Sequence, residues 1–491
     1  MAKKKKESPI TGITVSKEED FSAWYTEVIN KAELADIRYN IKGFVCYRSW
    51  ATITIKKMYQ KYEELLEKNG HLPLTMPSLI PESNLMLEAE HVEGFAPEVF
   101  WVTEAGSSGP LTERLALRPT SETVIYPMYS IWIRSYKDLP FKRYQSCQVW
   151  RYEGKMTRPF FRGREFHWIE SHDVFATEEG AMEQVHQDME MSYQILQDEF
   201  ALPIIFFERP QWDKFSGAVN TYAADALMGS GRVLQLPSTH YLGQNFSKPF
   251  KVKFVDKDGK EKYGYQTCYG PAISRIYGAM IAYLGDDKGL ILPFDLVPVQ
   301  IVIVPILIKG KEKIVLKKCK EVYETIKDKF IVKFDDSDES PGSKFYYWEM
   351  KGVPFRIEVG PKDVENNQVV VVKRHDGQKF TVKNNEIESF IENIAKNYTK
   401  EIKDKKMLDF ESQIEICYEK DSAMEAIKNG KIVCCGFCSI DNKGYRCAEF
   451  VEKEIGAFVR GKRMDEEKHE FASCIICGEP ASCTVYLAKS Y

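Results

Sequence analysis

Four arginines interleaved with aromatic residues form the most chemically suggestive stretch of this chain. Arg151, Arg158, Arg162 and Arg164 lie between Val149 and Trp168, among Trp150, Tyr152, Phe160, Phe161 and Phe166. A guanidinium makes bidentate, charge-assisted contacts with phosphate or carboxylate, and an aromatic face stacks on a purine. Two strands joined by the turn-rich stretch through Thr157-Arg-Pro159 would put both kinds of group on one hairpin, an arrangement able to hold ATP. A surface strand pair with cross-strand ion pairs would use the same residues, so the hairpin alone does not decide.

A second cluster lies near the other end. Cys434, Cys435, Cys438 and Cys447 are followed by Cys474-Ile-Ile-Cys477. Paired cysteines about two residues apart, separated by a longer loop from a second group, match a tetrahedral structural zinc site. Buried free thiols are the alternative. A catalytic zinc is disfavoured, because no nearby histidine or carboxylate pattern leaves an open coordination position.

The elements that must position these groups belong to a chain of 491 residues, long enough for two to four domains. With 44% apolar and 29% charged residues, both signs mixed, it reads as an ordinary globular protein. Its net charge of -4 does not announce a polyanion partner, although a local basic surface can bind RNA on an acidic protein. Lys3 to Lys6 are followed by Glu7, Ser8 and Pro9 instead of an apolar run, and no apolar stretch is long enough to span a membrane. A cytoplasmic location is therefore expected, where twelve cysteines do not make a disulfide framework.

Ser16 and Glu19 form a capping-box pattern ahead of Phe21, Trp24, Tyr25, Val28 and Ile29, which share one helical face. To about residue 295, helices mix with aromatic-rich strands at 141–152 and 164–169, the texture of an α+β domain on antiparallel sheet. From Val297 the pattern alternates: an apolar run through Ile308, a helix over 311–329, strands at 331–334, 355–359 and 369–372, and a helix around 386–398. That predicts a compact α/β domain with a mostly parallel sheet, spanning 296–400. Residues 401–491 read as a third, small domain that needs a staple.

Together these segments resemble the prolyl-tRNA synthetases, of class II of the aminoacyl-tRNA synthetases. Met76-Pro-Ser-Leu-Ile-Pro81 resembles motif 1, the Val149–Trp168 hairpin motif 2, and Tyr269-Gly-Pro-Ala-Ile-Ser-Arg275 through Gly285–Pro293 motif 3. Arg118-Pro-Thr-Ser-Glu-Thr123 resembles the Thr-x-Glu motif of the prolyl enzymes, and the runs Ser238–Phe246 and Arg164–His172 look like the same family. The resemblance implies an α+β multidomain protein. Its parts are a class II antiparallel-sheet catalytic domain (1–295), an α/β anticodon-binding domain (296–400) and a small α+β zinc-binding-like C-terminal domain (401–491).

It also implies a reaction: activation of L-proline by ATP with Mg2+, then transfer of the prolyl group to the 3′ end of tRNA(Pro), in a homodimer. Arg151 and Arg275 are the catalytic candidates. Thr120, Glu122, Arg151, Trp168, Glu170, His172 and His240 would bind proline, and Arg151, Glu153, Arg162, Phe166, Gln235, Ser238 and Arg275 would surround ATP. Glu122 with Thr120 can accept both N–H donors of a secondary ammonium while neutralising its charge. Outside a site, Glu122 would simply favour the dipole of a helix N-terminus. No catalytic base is required, because the attacking carboxylate is already ionised.

Between motifs 2 and 3 lie only about 100 residues, too few to add the bacterial editing domain to the strands needed there. A pocket that reads size and one ammonium is expected to activate some alanine or cysteine. Gly342–Pro361 resembles the family's anticodon-binding domain, making Lys344, Trp348, Glu349, Lys351 and Arg356 the candidates for base contacts. The family's zinc site has two ligands about five apart followed by C-x-x-C, and in this chain the first half of that pattern departs from the spacing; the resemblance leaves Cys438, Cys447, Cys474 and Cys477 as the expected set, with Cys435 as the alternative first ligand. By the same resemblance, the carboxylate of Tyr491 reaches back toward the catalytic domain.

Overall fold

The computed structural model describes residues 12–91, 98–152, 154, 157–465 and 470–491. Helices α1 (Phe21–Lys31) and α2 (Ser49–Lys68) precede strand β1 (Leu72–Pro73). Helix α3 (Glu122–Trp132) leads into β2 (Phe141–Trp150) and β3 (Glu165–Phe175), followed by α4 (Glu178–Tyr193), β4 (Ile205–Glu208), β5 (Asn220–Leu227), β6 (Val233–Gly243), β7 (Tyr265–Gly270) and α5 (Ile273–Leu284). Next come β8 (Ile301–Pro305), α6 (Glu312–Ile326), β9 (Val332–Phe334), α7 (Pro341–Met350), β10 (Phe355–Val359), β11 (Gln368–Lys373), β12 (Lys379–Lys383) and α8 (Ile387–Glu411). The chain finishes with β13 (Ile414–Ile416), β14 (Ile432–Phe437), β15 (Phe458–Arg463) and β16 (Cys483–Ala488).

An eleven-stranded sheet runs β13-β14-β16-β15-β4-β5-β6-β7-β3-β2-β1. Its strands from β2 to β14 pair antiparallel throughout. Strand β15 pairs with β16 on one side and β4 on the other, so the strands of the 401–491 part continue the catalytic sheet. A glycine makes that junction possible. Gly461 sits at φ 118°, and a Cβ there would lie 1.9 Å from the Glu208 carbonyl oxygen, so no other residue fits.

Helix α5 shows how the core supports the site. Its sequence is apolar all round, and every residue except Arg275 is buried, so it lies within the core against the sheet. Arg275, in its first turn, is thereby fixed by a helix that cannot shift without opening the core. Helix α2 buries Ala51, Thr54, Ile55, Met58, Tyr62, Leu65 and Leu66 at helical spacing.

Two local expectations differ from the structure. Asp20, not Ser16, caps α1, its carboxylate accepting from the Ser22 and Ala23 amides at 2.9 and 3.0 Å. Ser16 is engaged elsewhere, its hydroxyl donating to Asp287 at 3.2 Å. The second sheet, β9-β8-β10-β11-β12, is parallel only at β9-β8-β10. Its other pairings, β10-β11 and β11-β12, are antiparallel, and the short His375-Asp376-Gly377 turn joins β11 and β12 as a hairpin. Helix α8 runs unbroken from Ile387 to Glu411, across position 400.

Candidate active site

Residues two apart on a strand share a face, and residues in register on neighbouring strands lie side by side. Trp168, Glu170 and His172 on β3 therefore point the same way. His172 is in register with Cys268 on β7, Cys268 with His240 on β6, and His240 with Thr221 on β5, giving a lateral row across four strands. Gln235 and Ser238 are three apart and would face opposite sides of a regular strand. A register shift between β5 and β6 at this point resets the alternation, and both line the same cavity. Gly270 admits the indole of Trp168, since a Cβ there would come within 2.5 Å of the Trp168 ring.

The cavity measures about 460 Å³, within the range of small-molecule sites. Thr120, Glu122, Arg151, Trp168, Glu170, His172, Gln235, Ser238, His240 and Arg275 all line it. Arg162 and Phe166 do not appear in that lining. Arg162 closes a tight turn, exchanging backbone hydrogen bonds with Arg158 at 2.9 Å. Phe166 instead backs the cavity wall, with the Arg151 guanidinium 5.5 Å from its ring and the same distance from Trp168. Glu153 lies outside the described residues. The sequence reading missed Phe215, Asp213 and Lys214, which close the cavity from the 209–219 loop, and Cys268 on its floor. The loop carries no periodic or motif signal; Cys268, two residues before Gly270, was reachable from strand alternation alone.

One end of the cavity is a buried polar relay. The Thr120 hydroxyl donates to Glu122 Oε2 at 2.6 Å and lies 3.3 Å from Glu170 Oε2. Glu170 also accepts from Ser121 Oγ at 2.5 Å and Gln145 Nε2 at 2.9 Å, and meets His172 Nε2 at 3.2 Å. His172 Nδ1 lies 3.1 Å from the Tyr126 hydroxyl. Burial alone would raise the Glu170 pKa, but the His172 hydrogen bond and charge, with Ser121 and Gln145, outweigh it and hold it at about 2. Burial opposes protonation of His172 too, yet Glu170 and Glu122 raise its pKa above the usual value. Two carboxyl groups beside a single imidazole suit a substrate cation at this end of the cavity.

His240 behaves oppositely: burial and then the His172 charge push its pKa down to about 3, so it is a neutral imidazole. Its two nitrogens meet Thr221 Oγ1 at 2.9 Å and Ser238 Oγ at 3.0 Å. The cavity's other end is cationic. Arg151 Nε donates to the Pro119 carbonyl at 2.9 Å, and Arg275 donates to the Phe161 and Gln235 carbonyls at 3.2 and 3.3 Å. A zwitterion with a small ring, beside an anionic nucleotide, fits this division of charge. Nearby, the Tyr491 ring packs 5.3 Å from Phe161 and its amide donates to the Val233 carbonyl at 3.2 Å.

The residues expected to read bases have partners within the chain. Lys344 Nζ and Trp348 Nε1 both donate to Asp335, to its carbonyl at 3.0 Å and its Oδ2 at 2.7 Å. Lys351 Nζ donates to the Ala32 carbonyl and to Glu33 Oε2 at 3.2 and 2.8 Å, tying α7 to the end of α1. Arg356 pairs with Glu349 and Glu358. Helix α7 turns its 344/348 face inward, so these polar groups meet interior partners instead of solvent.

The sulfur atoms of Cys438, Cys447, Cys474 and Cys477 all lie within 4.8 Å of one another. Those of Cys438 and Cys447 are 3.7 Å apart, close to the edge of a tetrahedron with zinc–sulfur bonds of about 2.3 Å. Cys435 stands outside this group, buried in the strand β14.

Three family models match the chain in order: the class II tRNA synthetase core domain (G, H, P, S and T) at residues 100–283, an anticodon binding domain at 300–394, and the prolyl-tRNA synthetase C-terminal domain at 420–491. A proline–tRNA ligase of Thermofilum pendens is 50% identical, with 98% of this chain and 99% of that protein covered. Another, of Methanopyrus kandleri, is 42% identical with 96% of each covered. Among solved structures, Giardia lamblia prolyl-tRNA synthetase in complex with prolyl-adenylate superposes with a TM-score of 0.94 at 36% identity, over 98% of this chain and 100% of that one. The Cryptosporidium parvum enzyme, complexed with halofuginone and AMPPNP, gives 0.92 at 34% identity, over 98% and 99%. From motif 1 to the final strand, this chain belongs to the prolyl-tRNA synthetase family of class II aminoacyl-tRNA synthetases.

Proposed function

We propose that this chain is a proline–tRNA ligase that activates L-proline with ATP and passes the prolyl group to the 3′ end of tRNA(Pro). The observation that carries it is a single cavity with the Thr120–Glu122–Glu170–His172 relay at one end and Arg151 and Arg275 at the other. The prolinium N–H donors meet Thr120 and Glu122. Glu170 and His172 hold those acceptors, and Trp168 with neutral His240 walls the ring. Gln235, Ser238 and the two arginines contact the nucleotide, which arrives with Mg2+ as its counter-ion, and Arg162 reaches toward it from the 158–162 turn.

The reaction follows from position and charge. A proline carboxylate oxygen bonds to the α-phosphorus as pyrophosphate leaves, with Arg151 and Arg275 countering the charge that moves onto the leaving group. The tRNA 3′-hydroxyl then displaces AMP from the prolyl carbon. No side chain needs to remove a proton in the first step.

The chain divides by function into a catalytic part (1–295), an anticodon-binding part (296–400) and a C-terminal part (401–491), with α8 as the connecting helix. Lys344, Trp348, Glu349, Lys351 and Arg356 are the candidates for base contacts in the anticodon-binding part. Four converging thiols fit a closed structural zinc site, which would staple the 438–447 and 474–477 loops. Metal analysis should find one zinc per chain in the native protein and in Cys435→Ala, and none in Cys447→Ala. The protein acts as a homodimer through its motif 1 face.

Pyrophosphate exchange with each amino acid tests the central reading. Proline should support it, Glu122→Ala and Arg151→Ala should abolish it, and a preference for another amino acid would refute it.

A further inference from the structure

Beside the catalytic cavity lies a second one, of about 880 Å³. The two share a wall. The loop joining β4 to β5 presents Asp213, Lys214 and Phe215 to the catalytic cavity, and Trp212, Lys214 and Ser216 to the second. The facing wall comes from the turn after β6, with Lys248 and Lys251, and Asn245 ties the walls by donating to the Gly217 carbonyl at 2.8 Å. Three lysines line this groove and no carboxylate does. None of the three forms an ion pair among the described residues.

The groove is built on firm ground. Phe246 and Phe250 are buried under the turn, and Val252 N donates to the Ser247 carbonyl at 2.8 Å. Lys251 itself has φ 56°, a left-handed conformation that favours glycine and costs a lysine about 1 kcal/mol. That cost is met without any partner for its charge inside the protein.

A cationic groove with an aromatic ring, separated from a reaction centre by one loop, has the chemistry that binds single-stranded nucleic acid. Lysines follow the phosphodiesters, and an indole offers a stacking face. Resting on the reading of the chain as a tRNA ligase, we propose that this groove is the track by which the single-stranded 3′ end of the tRNA reaches the catalytic cavity. Lys214, Lys248 and Lys251 neutralise its phosphates, and the terminal nucleotide passes over the 213–215 segment to the activated amino acid.

The test is a Lys248→Glu/Lys251→Glu double variant, with Lys251→Gly as a second variant that removes a charge while relieving the backbone. Proline-dependent pyrophosphate exchange should stay within about twofold of the native rate in both, since neither residue touches the first step. If the native protein itself fails to exchange with proline, the ligase reading fails, independently of this groove. Charging of tRNA should drop about tenfold or more in the double variant, and the salt dependence of tRNA binding should lose about 0.7 in log–log slope per phosphate contact removed. The deciding comparison uses tRNA lacking its last four nucleotides. It should bind the native protein and the double variant equally, whereas full-length tRNA binds the variant more weakly. Unchanged charging, or an equal loss for truncated tRNA, overturns the proposal; the second outcome would assign the groove to another part of the RNA.

Discussion

Arg460, on the strand that joins the C-terminal part to the catalytic sheet, grips Asp225 of β5 through two hydrogen bonds, Nε to Oδ2 at 2.6 Å and Nη2 to Oδ1 at 2.9 Å. Arg209 takes the other side of the same carboxylate, at 2.6 and 3.2 Å, and donates onward to Gln235 Oε1 at 3.3 Å. All three charged groups are buried. The C-terminal part is thereby connected to the nucleotide end of the cavity by a chain of four side chains.

Removing different members of this triad should have unequal effects. Asp225→Asn leaves two buried guanidinium groups with only the weaker influence of Asp213 as counter-charge and should cost about 3–5 kcal/mol. Arg460→Gln leaves one arginine facing one aspartate, so about 2 kcal/mol is expected, from the lost charged hydrogen bonds. Because Gln235 leans on Arg209, Arg460→Gln should also raise KM for ATP more than KM for proline. Thermal unfolding and pyrophosphate-exchange kinetics check both; equal losses from the two substitutions would contradict the account.

Tyr126 stands behind His172 and does not itself line the cavity, and its hydroxyl bears on the site through its contact with the imidazole. Tyr126→Phe keeps the ring in its buried place and removes the hydroxyl. KM for proline should rise about tenfold, the value of a hydrogen bond to a charged group at the lower end of its range. KM for ATP should stay near native. A general loss of kcat with both KM values unchanged would mean that Tyr126 supports packing only.

Most of the catalytic site was legible because its residues sit in short motifs whose spacing maps onto strands. Glu170 and His172 alternate with Trp168, and Arg275 opens a helix that the apolar run after it announces. What the sequence hid depends on tertiary context. The loop with Phe215 has no period to read, and the inward turn of Lys344 and Lys351 depends on Asp335 and Glu33, residues that only folding brings near. The same reason explains the sheet: nothing in Phe458–Arg463 shows that it will pair with Phe207 and Glu208, some 250 residues earlier.

His240 supplies a pH dependence. Its pKa in the folded protein, about 3, lies below the ordinary 6.5 because of burial and the nearby His172. The unfolded chain therefore takes up that proton first as the pH falls. The stability tied to His240 is whole above about pH 6.5 and is lost progressively toward pH 3, by about 1.4 kcal/mol for each pH unit within that window. His240→Asn, which can hydrogen bond but not titrate, should begin less stable at pH 7 and then lose less between pH 6.5 and 4.5 than the native protein. Parallel melting curves over that range would show that His240 is not the group responsible.

The cavity's way of recognising proline sets a limit on its accuracy. Larger side chains meet Trp168, Phe215 and the sheet floor at Cys268. Alanine and cysteine meet no such obstacle, and both carry the ammonium and carboxylate that the relay and the arginines hold. They lose only the burial of ring methylenes, about 1–3 kcal/mol for each one missing. Alanine, short of the two ring carbons, should therefore be activated with kcat/KM about 10² to 10⁴ below that of proline, a rate that pyrophosphate exchange can detect. Filling the ring space should hurt both substrates, but Trp168→Phe, which enlarges it, should weaken proline more than alanine and narrow the ratio. No exchange with either small amino acid would require a rejecting element that the described cavity does not contain.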